Sequence, residues 1–70
     1  MDIIYSIHAE EQIQERKIEK LWIEETIKSP DYIKRNKPNK YIIKKKLNGR
    51  SIEVVYVKEK YIKVVTVYWI

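Results

Sequence analysis

The chain contains no cysteine, which excludes a disulfide framework and any thiolate metal site. It has a single glycine, so no Gly-rich phosphate loop can be drawn along it, and no Ser-His-Asp order suggests an acyl-transfer triad. Its only histidine, His8, stands at helical spacing from Glu11 and Glu15. One histidine with flanking glutamates is a pattern that chance supplies freely, so no metal and no other cofactor is expected. No apolar run approaches the roughly 20 residues of a membrane span. The basic residues fall on strand-like segments and not on an amphipathic helix, so no membrane partner is expected. Met1-Asp2-Ile3-Ile4-Tyr5 lacks the basic region and long apolar run of a signal peptide, and the expected setting is cytoplasmic. Internal repeats and low-complexity linkers are also missing.

The 70 residues present form one domain, 1–70, at most. A domain of this size buries only about 60% of its unfolded surface, so packing, or a partner chain, must hold a thin core. The formal net charge of +5 is unevenly spread. Residues 1–29 carry seven acids against four bases, a net −3, and residues 30–70 carry eleven bases against three acids, a net +8. Such asymmetry points to an anion-facing side in the second half, although lysine and glutamate also simply solubilise small proteins.

Ile3-Ile4-Tyr5 reads as a short edge strand. Ser6 can cap a helix over about 7–17, since its hydroxyl accepts a free backbone N–H. Glu10 and Glu11 sit near that helix's positive end and Arg16-Lys17 near its negative end. A second helix over about 20–28 places Ile23 and Ile27 one turn apart, and Ser29-Pro30 stops it. Tyr32-Ile33 is strand-like and is followed by a polar loop through Pro38 to Asn39. The main sheet spans about 40–70.

Asn48-Gly49 between apolar-rich runs predicts a type I′ hairpin, with Leu47 opposite Arg50, Lys44 opposite Glu53 and Ile42 opposite Val55. A second turn near Glu59-Lys60 sets Val57 opposite Ile62 and Glu53 opposite Thr66; a one-residue bulge there would turn the following side chains over. Alternation then yields two faces. One holds Tyr41, Ile43, Ile52, Val54, Tyr56, Val65, Val67 and Trp69, and suits the helices. The other pairs an apolar strip (Ile42, Val55, Val57, Ile62, Val64) with a polar patch (Lys44, Lys46, Ser51, Glu53, Thr66, Tyr68). The strip predicts a partner or a homo-oligomer.

Ser6-x-His8-Ala9, Arg16-x-Ile18, Ser29-Pro30-Asp31 and Thr66-x-Tyr68-Trp69 come in an order and at spacings that resemble a family of small bacterial and archaeal domains of unknown function grouped with the RelE/ParE/BrnT-like toxins. The resemblance covers nearly the whole chain. It implies an α+β fold of RelE-like β-α-α-β-β-β layout, with two N-terminal helices packed on a twisted antiparallel sheet. It further implies an mRNA endonuclease, free or ribosome-dependent, restrained by a cognate antitoxin protein. Relatives read His-Ala-x-x-Arg and Arg-Gly-Ile, where this chain has Gln12 and Lys17. The first departure removes a phosphate contact, and the second makes the turn between the helices costlier if it needs φ > 0.

Metal-independent RNA cleavage needs a base for the 2′-OH, cations for the phosphorane and an acid for the 5′-oxygen. Histidine exchanges protons near neutral pH, so His8 is a candidate base or acid; it is equally a structural histidine at a helix start. Tyr68 is a candidate acid or stacking platform, or an ordinary cross-strand aromatic. Arg16 completes the catalytic set. Lys44, Lys46, Arg50 and Thr66 are the candidate RNA-binding residues, against a plain solvated surface. Glu53 opposite Lys44 reads as a cross-strand ion pair more readily than as a general base. The leading expectation is a toxin-like, metal-independent endoribonuclease. The alternative is a non-catalytic RNA- or protein-binding module of the same fold.

Overall fold

The computed structural model describes residues 2–70. Among these residues the chain is α+β, with two helices and a five-stranded mixed sheet. Strand β1 (Ile3–Tyr5) leads into α1 (Ile7–Arg16). Ser6 caps α1 as expected: its backbone is extended and its hydroxyl accepts from the Ala9 N–H at 3.0 Å. The helix ends one residue before the expected Lys17, because Lys17 turns left-handed at φ 53°. This is the geometry in which glycine carries no steric penalty and lysine does. Helix α2 (Lys20–Lys28) keeps its expected bounds and stops before Pro30.

Four strands follow: β2 (Tyr32–Lys37), β3 (Lys40–Leu47), β4 (Arg50–Lys58) and β5 (Ile62–Trp69). Their order in the sheet is β1-β5-β4-β3-β2. The sheet is therefore mixed, not antiparallel throughout, since β1 runs parallel to β5. The polar segment expected as a loop after Ile33 is also strand. Tyr32–Lys37 pairs with β3 at the sheet's edge and is exposed at every position. With neither face buried it shows no apolar alternation, so the pattern that marks a strand is missing. Its lysines, arginine and bulge blunt the open edge.

The β3–β4 hairpin has the expected register from Leu47↔Arg50 through Ile42↔Val55, with Asn48 at φ 44° and Gly49 at φ 87°. The β4–β5 register departs from expectation. Lys58 pairs with Ile62 and Val57 with Lys63, then a bulge at Val65 shifts the rest, so that Val55 meets Thr66 and Glu53 meets Tyr68. The bulge turns the first half of β5 over. Ile62 and Val64, expected on the mixed face, lie in the core with Val67; Val65, expected beneath the helices, does not. This lets Ile62, Val64, Val67 and Trp69 all face the helices despite their broken period of two.

The core sits between that face and the helices, centred on Ala9, Ile23, Ile43, Ile52, Val54, Val64 and Val67, each fully buried. Strand β1 covers β5 only as far as Val64, so the rest of that edge of β5 needs other partners. One side of α1 and its cap supply them. Ser6 N–H donates to the Val64 carbonyl at 2.9 Å, and its hydroxyl to the Val65 carbonyl at 3.3 Å. The buried Gln12 carbonyl accepts the Val67 N–H at 2.8 Å, and Arg16 Nη1 donates to the Val67 carbonyl at 3.0 Å. Trp69 Nε1 donates back to the Arg16 carbonyl at 3.0 Å. Ser6, Ala9, Gln12 and Arg16 recur at helical spacing, so the helix face is matched to a sheet edge.

Candidate nucleic-acid interface

The helices cover one face of the sheet and leave the other open. Successive strand pairings set Tyr32, Lys44, Glu53 and Tyr68 side by side in one row across β2, β3, β4 and β5. At about 4.8 Å per strand the two tyrosines stand about 14 Å apart. Lys44 Nζ lies 5.0 Å from the centre of the Tyr32 ring and 3.6 Å from Glu53 Oε1. The Tyr68 hydroxyl donates to Glu53 Oε2. That hydrogen bond, then burial, then the carboxylate's charge raise the Tyr68 pKa above its ordinary value. Glu53 itself is only 9% exposed although no helix covers it; its neighbours in the row and along the strands enclose it. A carboxylate withdrawn from water needs such partners, because desolvation otherwise disfavours its charge.

Rows on either side extend this surface. Lys46 pairs with Ser51 on one side, and Lys34, Ile42, Val55 and Thr66 line up on the other. Ile42, Val55 and Val57 are half-buried, so the apolar strip survives as three of its five expected members. The face therefore offers tyrosine rings for stacking, lysines for phosphate and one carboxylate. That combination suits a single-stranded nucleic acid.

The candidate residues do not all meet. Tyr68, Lys44 and Thr66 share the open face. His8 stands exposed in the first turn of α1. Arg16 is on the helix side, bound to the Val67 carbonyl and lining the cleft there. Of the expected catalytic trio His8, Tyr68 and Arg16, the last two are thus separated by the sheet. Arg50 also lies on the helix side, its guanidinium 3.9 Å from the centre of the Trp69 ring. The Lys46 backbone N–H donates to Asp31 Oδ2 at 2.8 Å, tying β3 to the loop after α2. The expected cross-strand ion pair of Lys44 and Glu53 is observed. The bond from Tyr68 to Glu53 is additional: the bulge that sets them opposite each other is announced by no residue type.

On the helix side, where the end of α1 and the flank of α2 meet the β3–β4 turn, a cleft of about 650 Å³ opens. Trp22, Trp69, Leu21 and Leu47 give its apolar lining, and Arg16, Lys17, Lys46 and Arg50 give it positive charge. No group of three or more His, Cys, Asp or Glu side chains among the described residues is placed to hold a metal ion. No helix among them is long and apolar enough to cross a membrane.

A family model described as Domain of unknown function (DUF4258) matches residues 5–69. The chain belongs to the DUF4258 family. The match takes in both faces of the sheet, the cleft and the seam between α1 and β5. Among curated proteins and solved structures, no match is found.

Proposed function

We propose that this DUF4258 domain is a toxin-like, metal-independent endoribonuclease of RelE-like layout, which binds single-stranded RNA across the open sheet face. The observation that carries this reading is the Tyr32–Lys44–Glu53–Tyr68 row, with a carboxylate nine-tenths buried on the face that neither helix covers. A solubilising surface has no need of such a group, whereas a proton-transfer site does. Tyr32 and Tyr68 stack on bases, and Lys44 and Lys46 hold the phosphate between them.

The chemistry closes without a metal. Glu53 accepts the 2′-OH proton as the 2′-oxygen attacks phosphorus. The bond from phosphorus to the 5′-oxygen breaks, and that oxygen takes the Tyr68 proton. Glu53 returns its proton to Tyr68 through the hydrogen bond they already share. The products are a 2′,3′-cyclic phosphate and a 5′-hydroxyl. A tyrosine with a raised pKa still suits this role, because the departing alkoxide is a much stronger base than a phenolate. An acidic antitoxin-type protein would silence the site by covering the same lysines.

The test is RNA cleavage in EDTA, with and without ribosomes. Glu53→Gln and Tyr68→Phe are expected to slow cleavage by about 10²–10⁴-fold, while His8→Ala leaves the rate within a few-fold. Intact RNA after incubation with a wild-type protein that still binds it would sink the nuclease reading. The second reading, a non-catalytic RNA-binding module of the same fold, would then stand. It is favoured by the Glu53 carboxylate, whose oxygens are already engaged by Lys44 and Tyr68.

A further inference from the structure

The chain has two tryptophans, and both line the cleft between the helix ends and the β3–β4 turn. Their rings lie 5.8 Å apart and tilted by 56°. Trp69 is fixed from both sides, its Nε1 bonded to the Arg16 carbonyl and its ring under the Arg50 guanidinium. Arg16 spends Nη1 on the Val67 carbonyl, leaving its remaining donors for another acceptor. Leu21 stands 59% exposed on the rim, where an apolar side chain gains nothing from water. Glu25 and Asn48 add hydrogen-bonding groups at the edge. A volume of about 650 Å³ lies within the range of small-ligand sites.

We propose that this cleft is a nucleotide-binding site, which takes one unpaired base against Trp22 and Leu21 and its phosphate on Arg16, Lys17 and Arg50. The inference extends the RNA reading above. Lys46 borders both sites, but the Tyr32–Lys44–Glu53–Tyr68 row that carries that reading lies on the other side of the sheet, so each can fail alone. A base is planar and stacks on indole whatever its identity. Guanidinium forks match phosphate oxygens two at a time. Glu25 can accept N–H groups from a base edge. An acidic peptide would share the attraction to the cations, but it would meet Glu25 as a like charge and draw little from flat ring walls.

Because both tryptophans sit here and the open face carries only tyrosines, indole fluorescence reports on the cleft alone. The experiment titrates the full chain with AMP, GMP, CMP and UMP, exciting where tyrosine does not absorb. Saturable quenching in the millimolar range or tighter is expected. Arg50→Ala weakens it by about tenfold or more, the loss of a charge-assisted contact; independently, Leu21→Glu on the exposed rim weakens it by a similar factor, because it sets a negative charge where the nucleotide enters. Lys44→Ala and Glu53→Gln, across the sheet, leave it unchanged while altering RNA binding or cleavage. No saturable change with any of the four nucleotides overturns the proposal. So does a response abolished by Lys44→Ala but not by Leu21→Glu. A saturable response to a polyglutamate peptide but to no nucleotide also overturns it, and assigns the cleft to an acidic protein partner.

Discussion

The two faces of this sheet are made from the same strands and much the same residue types, yet they behave differently. Along β4, Ile52, Val54 and Tyr56 turn to the helices and are buried, while Ser51, Val55 and Val57 turn outward and are half-buried. The outward side's most enclosed residue is a carboxylate, Glu53. On the covered face burial follows from hydrophobicity, the main favourable term in folding. On the open face it is achieved by lysine and tyrosine side chains leaning over an acid. One face supplies stability and the other supplies an arrangement of polar groups that stability alone does not require.

The largest expected effect tests that division directly. Ile52→Ala removes a fully buried side chain and should cost about 2–5 kcal/mol, most of the margin of a small domain. Val55→Ala, three residues along the strand and half-buried, should cost about 1 kcal/mol or less by the lower burial. Urea midpoints measure both. Equal losses would mean that something covers the open face, and the contrast between the faces would collapse.

Next in size is the seam between α1 and β5. Gln12→Leu keeps the apolar packing but strands the Val67 N–H beneath the helix, which should cost about 1–3 kcal/mol. Gln12→Glu retains an acceptor and should lose less. Gln12→Arg, the residue of the His-Ala-x-x-Arg pattern expected at this position, removes the acceptor and should behave like the leucine. Urea unfolding of the three variants ranks them; arginine falling level with wild type would show that the seam tolerates an open amide.

How much of this was legible in the residues depends on whether the signal was local. The helix cap at Ser6, the stop at Pro30 and the Asn48-Gly49 hairpin are each set by one or two residues, and all three are observed. The β4–β5 register is not local. It depends on a bulge that gathers Ile62, Val64, Val67 and Trp69 on the helix side, and this is a compromise between two halves of a strand that no single residue marks. The candidate site inherits both outcomes. Lys44 opposite Glu53 was set by the legible hairpin, while Tyr68 beside Glu53 was masked by the bulge. Arg16 carries a motif that invites a catalytic reading, yet its guanidinium and carbonyl lock α1 to β5.

A smaller effect, of opposite sign, separates the two left-handed turns. Asn48-Gly49 uses residues suited to φ > 0, but Lys17 takes φ 53° with a full side chain. Lys17→Gly should stabilise the fold by up to about 1 kcal/mol. Gly49→Ala should destabilise it by a similar amount, since an added Cβ would meet nothing within 4 Å and only the φ of 87° opposes it. Thermal melts with opposite shifts would confirm that backbone conformation, not contact, governs both positions.

The smallest effect at neutral pH sets a tyrosine of the covered side against one of the open face. Tyr5 faces the helices, its hydroxyl oxygen buried without a hydrogen-bond partner among the described residues. Burial, then the charges of Glu24 and Glu10, push its pKa from 10.0 up to about 12. The folded state thus keeps a proton that the unfolded state releases, so the associated stability is complete below about pH 10 and is lost as pH rises through about 12. Tyr5→Phe should leave neutral-pH stability level or slightly improved, because it deletes an unpaired polar atom, and it should flatten the alkaline fall. Tyr68→Phe removes a group whose pKa is also raised, but there the leading cause is its bond to Glu53. It should flatten part of the same fall and also lower stability at neutral pH, since Glu53 loses a partner. Urea midpoints at neutral and alkaline pH distinguish the two. If Tyr5→Phe also loses stability at neutral pH, its hydroxyl has a partner after all, and the covered side holds a polar contact that matters as much as the one on the open face.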